Sequence, residues 1–358
     1  MRILLKARPN SSNALYRSVL PMSALMQRGH EVRSLQAGAK SARADQLAGV
    51  DVLQIHRYCD KETQALVHRA RDRGVCVVWD EDDDVVAFRD TLTYRDVSRV
   101  VWERRRASID RVLGLADLVT TPSAELAERF RDRGARKVSV IDNYVPSLFL
   151  QAQAQGEFHG GVTIGWVAAA EHLYDADQLQ IRSVLQRILD ARPDVRVVTV
   201  GIPLRIESDR YSHVRPVPLI KYGHSTTHGG DPTATKVVKM EPVLGREVAQ
   251  FDIGIAPLAN APFNTTRSKI KLKEYAAGGA AWLASPFGPY VGMGEKQGGR
   301  LVADDQWYEA LMRLIDNPRE RRKLAKRATR WVTDQTIEKN ANLWEEALRE
   351  ALDSAQSR

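Results

Sequence analysis

Residues Phe251–Ser285 read FDIGIAPLANAPFNTTRSKIKLKEYAAGGAAWLAS, and this stretch predicts a strand, a loop, a helix and a second strand. Gly278 and Gly279 end the helix. Four basic residues precede the acid Glu274, in the order Arg267, Lys269, Lys271 and Lys273. Free N–H groups and the positive dipole end of a helix attract phosphate. A carboxylate nearby can accept hydrogen bonds from sugar hydroxyls. The stretch therefore suits a nucleoside diphosphate with its ribose.

Outward from this stretch, short apolar strands alternate with helix-period segments in both halves of the chain, which predicts parallel, doubly wound sheets. The polar segment QAQAQGEFHGG, at 151–161, interrupts the alternation. We predict an α/β protein of two Rossmann-like domains that face each other across a cleft, with C-terminal helices crossing back. The predicted parts are an N-terminal Rossmann-like domain at 1–148, a linker at 149–161, a C-terminal Rossmann-like domain at 162–332 and a C-terminal helix at 333–358.

Local signals predict some elements and loops more closely. Helices are expected near Asn13–Arg28 and Ala176–Ala191, and Ser123 resembles an N-cap. The stretch Tyr222–Lys236 is polar and rich in turn residues, so it is expected to be a surface loop. The tail from Asp305 to Ala355 is expected to be helical, with Pro318 in the first turn of a helix.

Composition limits the class of protein. A chain of 358 residues favours two domains, and no apolar run reaches the roughly 18 residues that a membrane span needs. The N-terminus is expected to be a strand and not a signal peptide. Two cysteines, Cys59 and Cys76, are too few for a disulfide framework, which predicts reduced thiols in a cytoplasmic protein.

The formal net charge of +8 permits an anionic partner or peripheral contact with an anionic surface. Arginines 104, 105, 106 and 111 lie on a predicted helix, with Trp102 nearby. A solvated helix face is the ordinary interpretation. If the anionic partner is nucleic acid or a lipid phosphate, we expect its contact there.

The order of the motifs resembles the retaining nucleotide-sugar glycosyltransferases of family four, which have the GT-B fold. The similar segments are Tyr16–Val32, Ala116–Phe130, Val138–Val145, Ile164–Asp175, and FDIGIAPL followed by KLKEYAAGG. The resemblance implies a UDP- or GDP-sugar donor in the C-terminal domain, an acceptor in the N-terminal domain, and no obligatory metal or cofactor. It also implies that Glu274 contacts the donor ribose and that Lys271 binds phosphate.

The chain departs from the family pattern at two places. The pattern would place an acid at 266, where this chain has Thr266, and Pro9–Asn13 replace a glycine-rich first loop. These departures motivate a second hypothesis, a nucleotide-sugar-binding protein without catalytic activity. A sugar-nucleotide epimerase of the same architecture is a third possibility, although it lacks the KLKEYAAGG context.

Donor-binding residues are predicted in the basic stretch, in the first strand of the C-terminal domain and in the first loop of the N-terminal domain. Lys271 and Glu274 are three residues apart, so the alternative to donor binding is a surface ion pair. Ser11 and Ser12 either donate to phosphate or cap the first helix. The donor-binding set comprises Glu274, Lys271, Lys269, Arg267, Thr266, Ser268, Gly165, Ser11 and Ser12.

Acceptor residues are predicted in the N-terminal half. Five acids follow Trp79, and they suit helix capping, acceptor hydroxyls or a metal. Asp80 and Asp82 are the acceptor candidates together with Tyr16 and Arg17, and no metal ligand is predicted. The predicted catalytic residues are Lys271, Arg267, Asp80 and His172.

Together with these residues, the resemblance implies a retaining hexosyltransferase that moves a sugar from a nucleotide diphosphate sugar to an acceptor hydroxyl. A glycan, a lipid or a modified DNA base is compatible with the sequence as acceptor. A DNA-modifying enzyme that acts on a hydroxylated base is therefore an explicit alternative.

Overall fold

The computed structural model describes residues 1–7, 12–35, 44–90, 98–152, 160–215, 221–225 and 236–356. A first parallel sheet has the strand order β2-β1-β3-β4-β5-β6. Its strands are β1 (Arg2–Lys6), β2 (Glu31–Ser34), β3 (Val52–His56), β4 (Cys76–Asp80), β5 (Leu118–Thr121) and β6 (Val138–Val140). Every residue of β3, β4 and β5 is buried, as expected for parallel strands covered by helices on both faces.

A second parallel sheet has the order β14-β13-β12-β7-β8-β9. Its strands are β7 (Val162–Ala168), β8 (Val195–Gly201), β9 (Tyr211–Val214), β12 (Ile253–Ala256), β13 (Ala281–Ala284) and β14 (Gly299–Leu301). The antiparallel pair β10 (Lys221–Ser225) and β11 (Lys236–Glu241) stands apart. Numbered by chain order without that pair, the sheet reads 3-2-1-4-5-6, the Rossmann order. The predicted architecture of two Rossmann-like units is confirmed.

Helices cover both sheets. Ser123 accepts a hydrogen bond from the Leu126 N–H at the start of its helix, and Pro318 begins another, both as predicted. The helices are α1 (Ser12–Ala14), α2 (Leu20–Gln27), α3 (Lys61–Arg71), α4 (Arg99–Leu115), α5 (Ala124–Asp132), α6 (Ser147–Ala152), α7 (His172–Gln178), α8 (Ile181–Ala191), α9 (Val243–Val248), α10 (Pro262–Thr265), α11 (Ile270–Ala277), α12 (Trp307–Asp316), α13 (Pro318–Val332) and α14 (Ile337–Gln356).

The chain passes between the two halves at two adjacent crossings. Val145 donates its N–H to the Gln335 carbonyl at 3.2 Å, and Ile337 donates to the Val145 carbonyl at 2.9 Å. Beyond this bridge, α14 packs on the first sheet and on α2. Its Trp344 is fully buried, with the Arg17 guanidinium 4.8 Å from the ring centroid. The C-terminal helix therefore crosses back, as predicted.

Several local elements differ from the sequence expectation. The helix expected at Asn13–Arg28 contains a π-helical turn at Leu15–Val19. The helix expected at Ala176–Ala191 is two helices, because Gln180 is left-handed with φ 50°. The loop expected at Tyr222–Lys236 begins and ends in the strands β10 and β11, while 226–235 lie outside the described residues.

The predicted linker also contains ordered structure at its start. Helix α6 runs through its first four residues, and Phe149 is buried against α9. Residues 153–159 lie outside the described part of the chain. The domain limits at 148, 161 and 332 stay predictions.

Candidate nucleotide-binding site

The candidate site lies where the second sheet reverses its strand order, between β7 and β12. Ligands of open α/β sheets bind outside the carboxyl ends of the strands at such a switch point. Strand β7 ends at Ala168 and leads into α7, which begins at His172. Strand β12 ends at Ala256 and leads through α10 to Arg267 and α11. The topology therefore brings His172 and the basic stretch to one edge of the sheet.

Arg267 lies beside Glu171 at this edge of the second sheet. Its Nη2 donates to Glu171 Oε1 at 3.1 Å, and its guanidinium lies 4.8 Å from the Phe263 ring centroid. Burial opposes ionisation of Glu171, but the charges of Arg267 and Lys271 and the hydrogen bonds to its carboxylate together outweigh it and lower the pKa of Glu171. Arg267 Nη1 is buried and makes no hydrogen bond within the described residues. Arg267 therefore has a fixed orientation and a donor to spare.

Lys271, one turn further on, is half-buried and forms no hydrogen bond or ion pair with any residue that the structure describes. Burial lowers the pKa of Lys271, Arg267 lowers it further, and Glu274 opposes both. A poorly solvated cation without a direct partner is suited to an anion that arrives from outside.

His172 is fully buried and oriented by Asp175, with 2.7 Å between His172 Nδ1 and Asp175 Oδ2. Burial, with the charges of Arg267 and Lys271, lowers the pKa of His172 well below its usual value. Burial raises the pKa of Asp175 to about 6. At neutral pH Asp175 is mostly ionised and accepts from Nδ1, which leaves Nε2 as an acceptor. Nε2 has no hydrogen-bond partner among the described residues.

Asp175 also organises the backbone of the neighbouring strand end. Its Oδ1 accepts from the Ala259 N–H at 2.9 Å and from Asn264 Nδ2 at 2.7 Å. Asp175 therefore ties α7 to the loop that carries Arg267.

Glu274, the predicted ribose contact, is buried and already bonded. The Tyr16 hydroxyl donates to Glu274 Oε1 at 2.6 Å. Burial raises the pKa of Glu274, whereas Lys271 and Tyr16 lower it. Tyr16 was predicted to face the acceptor, and its observed partner is on the donor side.

The remaining basic residues of the stretch face the first sheet and not the switch point. Lys273 is fully buried, with its Nζ 2.9 Å from Asp142 Oδ2 and 2.7 Å from the Asn143 carbonyl oxygen. Burial lowers the pKa of Lys273 to about 8. Lys269 Nζ lies 3.3 Å from the same Asp142 oxygen. The Ser268 hydroxyl accepts from Asn143 Nδ2 at 3.0 Å. These side chains join the two halves of the molecule.

Three other predicted donor residues have structural surroundings of their own. Thr266 is fully buried, and its hydroxyl donates to the Phe263 carbonyl at 3.0 Å. Gly165 lies inside β7, where an added Cβ would be 2.1 Å from the Phe251 ring. Close packing therefore explains this glycine. Ser11 and the side chain of Ser12 lie outside the described residues.

Asp80 and Arg17, both predicted to meet the acceptor, form a fully buried ion pair at 2.7 Å. Asp80 also lies 2.9 Å from His56 Nδ1 and accepts from the Thr120 hydroxyl at 2.6 Å. Burial opposes the ionisation of Asp80, but Arg17 and His56 outweigh it and lower its pKa. Every partner of the carboxylate is thus internal, so the geometry favours a positioning role for Asp80 and Arg17.

The next three acids gather around Arg57. Its Nε lies 2.8 Å from Glu81 Oε1 and its Nη2 lies 2.8 Å from Asp83 Oδ2. Burial, partly offset by Arg57, raises the pKa of Glu81 to about 8. One oxygen each of Glu81, Asp82 and Asp83 lie within 4.8 Å of one another, a spacing that a metal ion could use. Arg57 already supplies a positive charge to this cluster.

Asp84 belongs to a separate contact. Its carboxylate pairs with Arg129, which also donates to the Thr265 hydroxyl at 2.7 Å. Asp84 and Arg129 therefore link the first sheet to the loop before Arg267.

The arginines of α4 at 104, 105, 106 and 111 are exposed, but Trp102 is buried in the core. Base stacking on Trp102 is excluded by that burial. Within the described residues, no helix combines the length and the apolar character needed to cross a membrane.

Sequence reasoning missed Arg57, Asp142, Asn143 and Asp175 as members of these networks. The sequence held a partial signal for the contact between Lys273 and Asp142. Lys269 and Lys273 are four residues apart, so they share a helix face that Lys271 does not. No comparable signal exists for Arg57, whose left-handed backbone (φ 64°) is visible only in the structure.

The two facing sheets with a helix crossing back define the GT-B fold. No protein-family description and no curated protein matches the sequence. Among solved structures, sucrose-phosphate synthase from Thermosynechococcus elongatus is similar with a TM-score of 0.67 and 14% identity, over 99% of this chain and 100% of that one.

Two further structures have informative ligands. The Anabaena protein HepE in complex with UDP-glucose gives a TM-score of 0.62 at 12% identity, over 99% of this chain and 100% of that one. A trehalose-phosphate synthase from Burkholderia xenovorans, in complex with glucose-6-phosphate, gives 0.56 at 13%, over 86% of this chain and 75% of that one. At these identities the likeness establishes the fold. Nothing in the comparisons supports contact with nucleic acid.

Proposed function

We propose that the protein is a glycosyltransferase that uses a nucleotide diphosphate sugar, with the donor at the switch point of the second sheet. The observation that carries the proposal is Lys271, a half-buried cation without a hydrogen bond or ion pair among the described residues, one turn from Arg267. Arg267 Nη1 and Lys271 Nζ would hold the diphosphate and stabilise its charge as the sugar leaves. The similar fold of a protein that binds UDP-glucose supports the same choice.

The sugar itself would lie next to His172. Its Nε2, unpaired among the described residues and an acceptor at neutral pH, can receive a hydrogen bond from a sugar hydroxyl. In the transfer, the bond between the anomeric carbon and the phosphate oxygen breaks, and a bond to the acceptor oxygen forms. The acceptor proton passes to the departing phosphate. Retention of configuration follows from the resemblance to the retaining enzymes and belongs to the proposal.

A nucleotide-binding protein without activity is the second candidate, because Thr266 is buried and offers no acid to the sugar. Both candidates bind the donor, but only the enzyme turns it over. A thermal-shift screen with UDP, GDP, ADP and their glucose conjugates tests binding first. A shift with none of them would refute both candidates.

Product analysis then separates the two. Release of nucleotide from the bound sugar conjugate, with an anomeric proton of unchanged configuration in the product, supports the retaining enzyme. Tight binding without release supports the inactive binder.

A further inference from the structure

Glu81, Asp82 and Asp83, here called the acidic wall, lie at the carboxyl end of β4 in the middle of the first sheet. Their exposed fractions are 1%, 6% and 9%. Asp84, the next residue, pairs with Arg129, which donates to the Thr265 hydroxyl at 2.7 Å, so the wall lies beside the loop that leads to Arg267. The acidic wall therefore faces the candidate nucleotide site from the other half of the molecule.

In this wall, one carboxylate oxygen of Asp82 accepts no hydrogen bond from the described residues. Its Oδ2 accepts from Asn13 Nδ2 at 2.9 Å, whereas its buried Oδ1 has no hydrogen-bond donor among the described residues. Arg57 Nη1 lies 3.9 Å from Oδ1, beyond hydrogen-bond range. A buried carboxylate oxygen without a donor is costly, so Oδ1 is suited to an N–H or O–H group of a ligand.

The two sides of the cleft carry side chains of opposite charge. Glu81 is mostly protonated at neutral pH because its pKa is raised to about 8, yet Asp82 and Asp83 still outnumber the one guanidinium of the wall, Arg57, which is already bonded to Glu81 and Asp83. The unpaired cations, Arg267 Nη1 and Lys271, belong to the opposite sheet. A phosphate on the acceptor would add negative charge beside the acidic wall, whereas an ammonium group would offset the excess.

We propose that the acidic wall binds the acceptor, that this acceptor carries no phosphate, and that it is an amino sugar whose ammonium group donates to Asp82 Oδ1. This inference rests on the proposed function and specifies its second substrate. Asp82 and Asp83 then act as specificity-determining residues.

Saturation-transfer NMR on the protein saturated with UDP tests the inference. The probes are glucosamine, glucose and glucose 6-phosphate at equal concentration. We expect the signal of glucosamine to exceed that of glucose at least threefold, and glucose 6-phosphate to give none. In Asp82→Asn the glucosamine signal should fall to the level of glucose. Asp132→Asn, an exposed acid of the same domain, should leave all signals unchanged.

The UDP-induced thermal shift of each variant separates the outcomes. If none of the nucleotides in the screen shifts the native protein, the proposed function fails, and the nucleotide with the largest shift replaces UDP in this experiment. With the shift intact, three results overturn the acceptor inference: a glucose 6-phosphate signal equal to that of glucosamine, no signal from any sugar, or equal glucosamine signals in native protein and Asp82→Asn.

Asp83→Asn is a second variant in case Asp82→Asn does not fold, and it should weaken the glucosamine signal in the same way. Mn²⁺ tests the other use of these carboxylates. Mn²⁺ that binds the native protein but not Asp82→Asn, and that displaces glucosamine, would assign the acidic wall to a metal ion and overturn the inference.

Discussion

The Tyr16 hydroxyl donates a 2.6 Å hydrogen bond to Glu274, and the two residues are 258 positions apart. Tyr16 lies in the π-helical turn beside the first sheet, and Glu274 lies on α11 of the second. The proposed ribose ligand is therefore bonded to the opposite half of the protein. Ribose hydroxyls would compete with Tyr16 for the same carboxylate.

We expect Tyr16→Phe to lower the free energy of unfolding by about 1.5–3 kcal/mol, the usual contribution of a hydrogen bond to a charged group. The UDP-induced thermal shift should be larger than in the native protein, because ribose then supplies the missing donor. Denaturant unfolding and thermal shift measure the two effects. Tyr308→Phe, at a half-buried surface ring, is the control. A smaller UDP shift in Tyr16→Phe would show that Tyr16 assists the nucleotide instead of competing with it.

Lys271→Ala should weaken UDP binding about ten- to hundredfold, since a charge-assisted hydrogen bond contributes roughly 1.5–3 kcal/mol. Stability without ligand should change little, because Lys271 has no partner to lose within the described residues. Titration calorimetry with UDP measures the affinity. Lys323→Ala on the exposed face of α13 is the matched control. Native affinity in Lys271→Ala would remove the diphosphate assignment.

Glu81 predicts a pH dependence of stability. Its pKa is raised to about 8 in the folded protein, mainly by burial. A raised folded pKa gives stability that is complete below the unfolded pKa, near 4.5, and is lost as pH rises toward 8. Glu81→Gln removes this titration. The stability of Glu81→Gln relative to the native protein should therefore increase from pH 5 to pH 8.

Denaturant unfolding at both pH values measures this difference. Glu125→Gln, at an exposed acid of α5, should show no such trend. A difference between Glu81→Gln and the native protein that stays constant with pH would contradict the prediction.

Gly165→Ala distinguishes a packing role from a donor contact. The added Cβ would lie 2.1 Å from the Phe251 ring, and overpacking of this kind costs about 1–3 kcal/mol. Adding Phe251→Leu should recover part of the loss. Unfolding curves of both variants, read with UDP affinity, provide the measurement. Native stability with impaired UDP binding in Gly165→Ala would instead support donor contact.

Lys273→Met should destabilise the protein by about 1–3 kcal/mol, because Asp142 and the Asn143 carbonyl both lose a hydrogen bond from a buried ammonium group. Asp142 would keep only Lys269, which is 3.3 Å away and more exposed. Denaturant unfolding measures the loss, with Lys323→Met as the control. A change below about 1 kcal/mol would show that Lys273 is dispensable for holding the two halves together.

Local chemistry explains why the architecture could be predicted. Neighbours in the sequence determine three of the observed features: the buried β-branched strands, the N-cap Ser123 and the helix-initiating Pro318. The Rossmann-like architecture inferred from this alternation implies the strand order that brings β7 beside β12. The approximate position of the candidate site could therefore be predicted as well.

The partners of individual charged residues could not be predicted in the same way. Asp80 ends strand β4, a position that suggested the cleft, but its partners Arg17 and His56 lie 63 and 24 positions away. Tertiary packing alone decides that this carboxylate turns inward while Asp82 retains an unpaired oxygen. Lys273 likewise is a lysine of the same helix as Lys271, but its ammonium group donates to the Asp142 carboxylate.

The burial of Trp344 against Arg17 has a consequence for biosynthesis. The first sheet emerges from the ribosome early, yet the surface around α2 is covered only after residues 337–356 have been translated. Until then, an apolar face of the N-terminal half remains open to chaperones. Expression of that half without the C-terminal helix should yield aggregates, and supplying the helix as a peptide should restore solubility.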